Sequence, residues 1–236
     1  MPPVSRKLTT HLLSIRQDLY DVATRTHPFL EAARTGSLAE STLGYWLSQD
    51  KIYASQAYPK FIGHMIAAIP YADATKEAIN KKVLSILLFS LQNVVREVGF
   101  FGETAKQYGL KVEGWKERKG TRDYTAEMAR LATASLEENM VFLWAMEKAY
   151  LDVWTNVKNG LRALNITGKP INDLSENWTC DEFIKFVDDL GSIVDELDIQ
   201  PDSPQWRRAE GVWERTIELE ASFWPDVGEE KTASVW

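Results

Sequence analysis

The sequence is poor in the residues that build disulfide frameworks and metal clusters. It contains one cysteine, Cys180, and three histidines among 236 residues. A single thiol cannot close an internal disulfide or complete a cysteine-rich zinc site. We therefore predict a chain that is compatible with a reducing compartment and carries neither a metal site nor a cofactor.

Long apolar runs and an excess of positive charge are also missing. The 27 basic residues are outnumbered by 34 acidic residues, and a net charge of −7 does not attract phosphate backbones. The strongest apolar run, residues 83–91, contains two serines and is far shorter than the roughly 20 residues that span a bilayer. Residues 1–7 lack the apolar core of a signal peptide. We therefore expect a cytoplasmic protein with no nucleic-acid or membrane partner.

The chain is rich in aromatic residues, and its apolar residues follow a helical period. The chain has nine Trp, eight Tyr and nine Phe residues, and its apolar residues recur at spacings of three and four rather than in the alternation of strands. This pattern predicts an all-α fold, with one domain of about eight helices in residues 1–225 and a loose tail in residues 226–236. The first four predicted helices cover 6–25, a short stretch ending at Gly36, 38–57 and an apolar stretch to Pro70. The other four cover 74–108, with a break near Gly99 and Gly102, 121–159, 180–197 and 204–224. Between them, 110–120 form a loop and 165–178 are irregular.

Helix starts are marked by capping signals. Ser37 with Glu40, and Thr179 with Glu182, have the spacing of a capping box. Ser203 followed by Pro204 has the pattern of an N-cap and a first-turn proline. These motifs predict where three of the helices begin.

Three predicted helices each place one acidic residue on a face that is otherwise apolar. These residues are Asp50, Glu147 and Glu220. A buried ionised carboxylate is costly unless it is paired or hydrogen-bonded. Each acid could pair with a Lys or Arg at a helix contact. If the three converge instead, desolvation and mutual repulsion raise at least one pKa, which suits a general acid at neutral pH.

Four short motifs are similar to those of one protein family. They are Gly36-Ser37-Leu38, Tyr45-Trp46-Leu47-Ser48-Gln49-Asp50 with Tyr53, the segment Thr121 to Tyr124, and Glu220-Ala221-Ser222-Phe223-Trp224. In this order and spacing the chain resembles, over about residues 8–225, the TenA family of thiaminase II and aminopyrimidine aminohydrolases. The resemblance implies the haem-oxygenase-like all-α fold and a homodimer or homotetramer.

The resemblance also implies roles for individual residues. Asp50 would hydrogen-bond an aminopyrimidine, and Glu220 would protonate the departing nitrogen. The aromatic residues at the matching positions, which would hold the pyrimidine ring, are Tyr53, Tyr124 and Phe223. The implied reaction is hydrolytic release of the amino or formylamino nitrogen from a 4-amino-2-methyl-5-aminomethylpyrimidine in thiamin salvage.

The chain departs from many family members at the nucleophile. Those members carry a cysteine 23 residues after the matched tyrosine, and counting from Tyr124 places Glu147 there. The chain thus resembles the branch that lacks this cysteine. Our hypothesis is that Glu147 activates a water molecule or shares a proton with Glu220, and that Tyr150 tightens this pair.

Other functions remain open at this stage. A helical protein that keeps the pyrimidine pocket without catalysis, as a binder or regulator, is the main alternative. A haem protein would use His27 as a proximal ligand, although a histidine before a proline is usually a helix-end residue. Carboxylate-bridged di-iron sites need a Glu-x-x-His motif, and none of the three histidines has an acidic residue three positions earlier.

Overall fold

The computed structural model describes residues 7–233 and 235. Residues 1–6, where the sequence predicts no signal peptide and the start of the first helix at residue 6, lie outside the described residues, as do tail residues 234 and 236. The described chain forms α1 (Leu8–Leu12), α2 (Gln17–Asp21), a π-helical turn (Val22–Thr26), α3 (Pro28–Arg34), α4 (Glu40–Ile52), a second π-helical turn (Tyr53–Ala57), α5 (Tyr58–Ala67), a 3-10 turn (Ala74–Lys76), α6 (Glu77–Tyr108), α7 (Lys119–Leu131), α8 (Leu136–Ala163), α9 (Pro170–Asn177), α10 (Asp181–Glu196), α11 (Pro204–Phe223) and a 3-10 turn (Glu229–Lys231).

The all-α prediction is confirmed. Within the described residues no strand forms, and the one β-bridge pairs Trp115 with Val235. The helices are more numerous than the eight expected, because two predicted helices are divided. The first breaks at Arg16, whose φ of 51° is left-handed, and the segment 121–159 divides where the Ser135 hydroxyl caps α8 by accepting from the Glu138 amide. The segment 165–178, predicted as irregular, contains α9.

The predicted break in α6 is wrong. The helix continues through Gly99 and Gly102 to Gly109, whose φ of 66° ends it. Two glycines cost a helix only about 1 kcal/mol each. Burial of Val94, Phe101 and Ala105 before, between and after them outweighs that cost.

Only one of the three predicted caps forms as expected. The Ser203 hydroxyl accepts from the Trp206 amide at 3.1 Å and starts α11. The other two predictions are wrong because their side chains find nearer partners. Ser37 contacts the Thr35 hydroxyl at 2.9 Å, and Thr179 donates to the Ser175 carbonyl at 2.7 Å.

Helices α4 and α8 lie at the centre of the bundle. Helix α8 contacts α3, α9, α10 and α11, and residues 139–146 are all buried. In α4, residues 42–50 are buried without interruption. A helical stretch that is surrounded on all sides is buried on every face, so Asp50 lies in the interior and Glu147 follows directly on the buried stretch of α8.

Residues 229–231 of the predicted loose tail pack onto the bundle. Glu230 is buried and accepts from the hydroxyls of Ser41 and Thr42 at 2.9 and 3.0 Å. Glu229 forms an ion pair with Arg118 at 2.9 Å. Residues 229–231 are therefore held against α4 by polar contacts, which a hydropathy pattern does not reveal.

Among the described residues, one helical segment meets the length and composition expected of a membrane span. It is Ala74–Tyr108, in which an 18-residue window has a mean hydropathy of 1.4 and is 28% buried. Polar residues interrupt its apolar runs, so the strongest apolar run, residues 83–91, does not reveal it. Core helices pass the same test, and α6 packs on α5 and α10, so the absence of a membrane partner stays a prediction.

Replacing Gly160 with alanine tests the close approach of α8 to α3. A Cβ at Gly160 would lie 2.7 Å from the Arg34 carbonyl oxygen, and overpacking of this kind costs about 1–3 kcal/mol. Gly102→Ala is the matched control, because nothing lies within 4 Å of its Cβ and alanine stabilises a helix interior by about 0.5–1 kcal/mol. In urea unfolding, Gly160→Ala should lower the free energy of unfolding and Gly102→Ala should raise it. Equal changes in the two variants would contradict the close packing of α8 on α3.

Candidate active site

One pocket contains all seven residues that the sequence singled out. They are Asp50, Tyr53, Tyr124, Glu147, Tyr150, Glu220 and Phe223. They come from α4, the following π-helical turn, α7, α8 and α11. The rest of the lining consists of Tyr58, Asn93, Val94, Glu97, Met146, Trp178 and Phe183.

The π-helical turn after α4 brings Tyr53 into an aromatic wall. Its ring lies edge-on to Tyr124 at 5.3 Å between centroids and 5.8 Å from Phe223. Tyr124 and Phe223 are themselves 5.7 Å apart. Rings in such edge and tilted arrangements favour one another and present flat faces, so this wall suits a planar ligand.

Three of the pocket carboxylates each accept a hydrogen bond from a tyrosine. The pairs are Tyr150 to Asp50 at 2.9 Å, Tyr58 to Glu147 at 2.6 Å, and Tyr124 to Glu220 at 2.5 Å. Tyr150 thus binds Asp50, whereas the sequence hypothesis assigned it to the Glu147 pair. Tyr58, which sequence reasoning missed, takes that place.

A fourth carboxylate, Glu97 of α6, also lines the pocket and accepts a hydrogen bond from the Trp178 indole. The sequence analysis missed it, although a signal was present. Ser90, Val94 and Phe101 are buried residues of α6, and Glu97 occupies the gap in their three-and-four spacing. It is the same feature that identified Asp50, Glu147 and Glu220.

The pocket is acidic and carries no compensating cation. Among the described residues no Lys or Arg lines it, and its four carboxylates make no ion pair, so the alternative of Lys or Arg pairing does not hold. Burial raises the pKa of Glu97 to about 7. It raises the pKa of Glu147 and of Glu220 to about 8. Burial, and next the charge of Glu97, raise the pKa of Asp50 well above its usual range.

Glu220 is arranged to donate a proton. Its Oε1 accepts from Tyr124, while its buried Oε2 has no hydrogen-bond partner among the described residues. Because a pKa of about 8 keeps this carboxyl protonated at neutral pH, Oε2 can carry the proton toward a ligand. In the described part of the chain no hydrogen bond joins Glu147 to Glu220, so the hypothesised direct pair is not formed.

A polar network fixes the end of α11 that carries Glu220. Arg118 donates to the Phe223 carbonyl at 3.0 Å and pairs with Glu229. The Gln49 amide oxygen, next to Asp50, accepts from the Arg118 amide and the Thr121 hydroxyl, both at 2.9 Å. These bonds join α4, α7 and α11 behind the pocket.

Cys180 and His27 do not line this pocket. Cys180 is exposed and precedes α10, and the His27 ring accepts from the Phe29 amide at 3.2 Å to start α3. In the described residues no group of three His, Cys, Asp or Glu side chains is placed to hold a metal ion.

The fold is that of the TenA proteins. A TenA homologue from Pyrococcus furiosus has a TM-score of 0.77 and 20% identity, covering 92% of this chain and 98% of that one. A TenA family transcription regulator from Silicibacter sp. TM1040 has a TM-score of 0.78 and 15% identity, covering 95% and 97%. A protein described as a TenA-like thiaminase from Sulfolobus solfataricus has a TM-score of 0.70 and 17% identity, covering 92% and 94%.

The chain belongs to the TENA/THI-4/PQQC family, whose model matches residues 14–230. A protein of Fusarium pseudograminearum described as a probable transcription factor is 26% identical over 95% of this chain. The alignment covers 52% of that protein, so the chain spans about half the length of this curated relative. A TenA-type function follows from the family.

Replacing Glu220 with glutamine should change how stability depends on pH. The folded-state pKa of Glu220 is raised from 4.5 to about 8, so between these values the folded protein binds more protons than the unfolded chain. Its free energy of unfolding therefore falls as pH rises through this window. Glu220→Gln removes that loss, and its melting temperature relative to the wild type should be higher at pH 8.5 than at pH 5.5.

The exposed variant Glu103→Gln provides the control for this measurement, because Glu103 lies on the outside of α6. Its melting temperature should follow the wild type at both pH values. The raised pKa of Glu220 would be contradicted if the melting temperatures of Glu220→Gln and the wild type differed by the same amount at both pH values.

Proposed function

We propose that this protein hydrolyses a 4-amino-2-methyl-5-aminomethylpyrimidine, or its formylamino derivative, in thiamin salvage. The observation that carries the proposal is the convergence of Asp50, Glu147 and Glu220 in one pocket without a cation. Carboxyl groups with raised pKa values in an aromatic pocket are suited to acid and base catalysis near neutral pH.

In this reaction the pyrimidine lies against the wall of Tyr53, Tyr124 and Phe223. The amino group of the ring bonds to Asp50. Ionised Glu147 takes a proton from water, whose oxygen bonds to the methylene carbon as the carbon–nitrogen bond breaks. The departing nitrogen takes the electron pair of that bond and the proton of Glu220 Oε2. Proton exchange with solvent then restores both glutamates.

Thiolate chemistry has no part in this proposal. Cys180 lies exposed before α10 and does not line the pocket. Glu147, which the resemblance aligns with the family cysteine, is held by Tyr58. A carboxylate with a pKa of about 8 is suited to act as a general base on water near that pH.

A pyrimidine-binding or regulatory protein without catalysis is the second candidate. The descriptions of the Silicibacter and Fusarium relatives as transcription proteins favour it, while the net charge of −7 disfavours direct contact with nucleic acid. We further propose that the protein is a single helical domain in the cytoplasm that uses no metal or other cofactor. We propose that it forms a homodimer or homotetramer and has no membrane partner.

Ammonia release from the aminomethylpyrimidine tests the proposal. Glu147→Gln and Glu220→Gln should each lower kcat by about 100-fold or more, because loss of one general acid or base costs about 10²–10⁴ in rate. Cys180→Ser should retain wild-type kcat. Near-normal turnover in either glutamine variant would refute its assignment, and tight pyrimidine binding without ammonia release by the wild type would favour the binding protein.

The pH dependence of kcat/KM gives a further test. Glu147 must be ionised and Glu220 protonated, and both pKa values are raised to about 8. The profile should therefore be bell-shaped with a maximum near pH 8, its two limbs belonging to the coupled pair. Glu147→Gln should remove the acidic limb from the residual activity, and Glu220→Gln the basic limb. Unchanged profiles in both variants would contradict these roles.

A further inference from the structure

Glu97 is a pocket carboxylate that the proposed reaction does not use. It reaches the pocket from α6, whereas Asp50, Glu147 and Glu220 come from α4, α8 and α11. The Trp178 indole donates a hydrogen bond to Glu97 Oε1. This bond fixes one oxygen of the carboxylate and leaves the other available to a ligand.

The contacts of Glu97 place it on the Asp50 side of the pocket. Tyr150 donates to Asp50, and its ring lies edge-on to Trp178 at 5.1 Å between centroids. Trp178 in turn holds Glu97. These four residues form one wall, which we call the Asp50 wall. Glu147 and Glu220 are held instead by Tyr58 and Tyr124, which pack around Tyr53.

Glu97 also differs from the other three carboxylates in lining a second cavity. It borders this cavity together with Asn93, Trp178 and Phe183, which line the main pocket as well. At pH 8, above its pKa of about 7, Glu97 is largely ionised, and its charge raises the pKa values of both Asp50 and Glu147. Arg96, which also borders the second cavity, pairs with Glu182. The main pocket thus holds an anion without a counter-ion from its own lining.

We propose that Glu97 is a specificity-determining residue that pairs with a protonated, positively charged aminopyrimidine ring and thereby selects 4-aminopyrimidines over 4-oxopyrimidines. The inference rests on the proposed function only in taking a pyrimidine as the ligand.

Ring chemistry explains the selection. A 4-aminopyrimidine that gains a proton on a ring nitrogen spreads its positive charge over that nitrogen and the amino group. The amino group has two N–H donors, so Asp50 and Glu97 can each accept one. A 4-oxopyrimidine presents a carbonyl oxygen instead, which has no N–H to donate to ionised Glu97. Sites built to bind a particular N–H group reject analogues that lack it.

Binding measurements test this role apart from turnover. The ligands are 4-amino-5-hydroxymethyl-2-methylpyrimidine and its 4-oxo analogue, which lack the aminomethyl leaving group. By titration calorimetry, Glu97→Gln should bind the amino ligand about 10- to 100-fold more weakly, as expected for loss of a hydrogen bond to a charged group. Its affinity for the oxo ligand should not change, and Glu103→Gln should match the wild type with both ligands.

Glutamine at position 97 keeps an oxygen that accepts the Trp178 hydrogen bond, so we expect the variant to fold. If Glu97→Gln does not fold, a measurement on the wild type alone still tests the inference. At pH 8, titrations in two buffers of different ionisation enthalpy should show proton uptake with the amino ligand and none with the oxo ligand. Absence of proton uptake with the amino ligand would overturn the inference.

The calorimetric results also separate this inference from the proposed function. Wild-type affinity of Glu97→Gln for the amino ligand, or an equal loss for both ligands, would overturn the role of Glu97. A preference for the amino ligand that depends on Glu97, in a wild-type protein that releases no ammonia, would support the inference and refute the proposed hydrolysis.

Discussion

The desolvation of four carboxyl groups in one pocket is the constraint on which the rest of the structure depends. Asp50, Glu97, Glu147 and Glu220 have no cationic partner in the pocket lining, and burying an unpaired ionised carboxylate costs several kcal/mol or more. Proton uptake reduces this cost, which is why burial raises all four pKa values. The protein therefore retains proton donors at a pH where ordinary carboxyl groups are ionised.

Aromatic donors make this arrangement tolerable. Each carboxyl accepts one hydrogen bond from a tyrosine or tryptophan, and these donors are themselves held by ring contacts. Trp178, for example, stacks on Trp154 at 4.7 Å and lies edge-on to Tyr150. The large aromatic content thus serves two purposes, because the same rings fill the core and orient the acids. Replacing such a ring would disturb packing and proton affinity together.

The positions of the acids were predictable because burial follows helical period. Asp50, Glu147 and Glu220 each interrupt an apolar face, and Glu97 does so in α6 with Ser90, Val94 and Phe101. Helix ends were less predictable. Hydrogen bonds such as that of Thr179 to the Ser175 carbonyl compete with capping, and the energy difference between such local alternatives is small.

The sequence by itself determined the all-α fold and the interior placement of Asp50, Glu147 and Glu220, because both follow from the spacing of residues along single helices. The tertiary structure decided which groups meet. It paired Tyr150 with Asp50 and Tyr58 with Glu147, brought Glu97 beside Trp178, and fastened Glu230 to α4. These contacts join residues far apart in the chain, and their geometry depends on how whole helices cross, which no local pattern specifies.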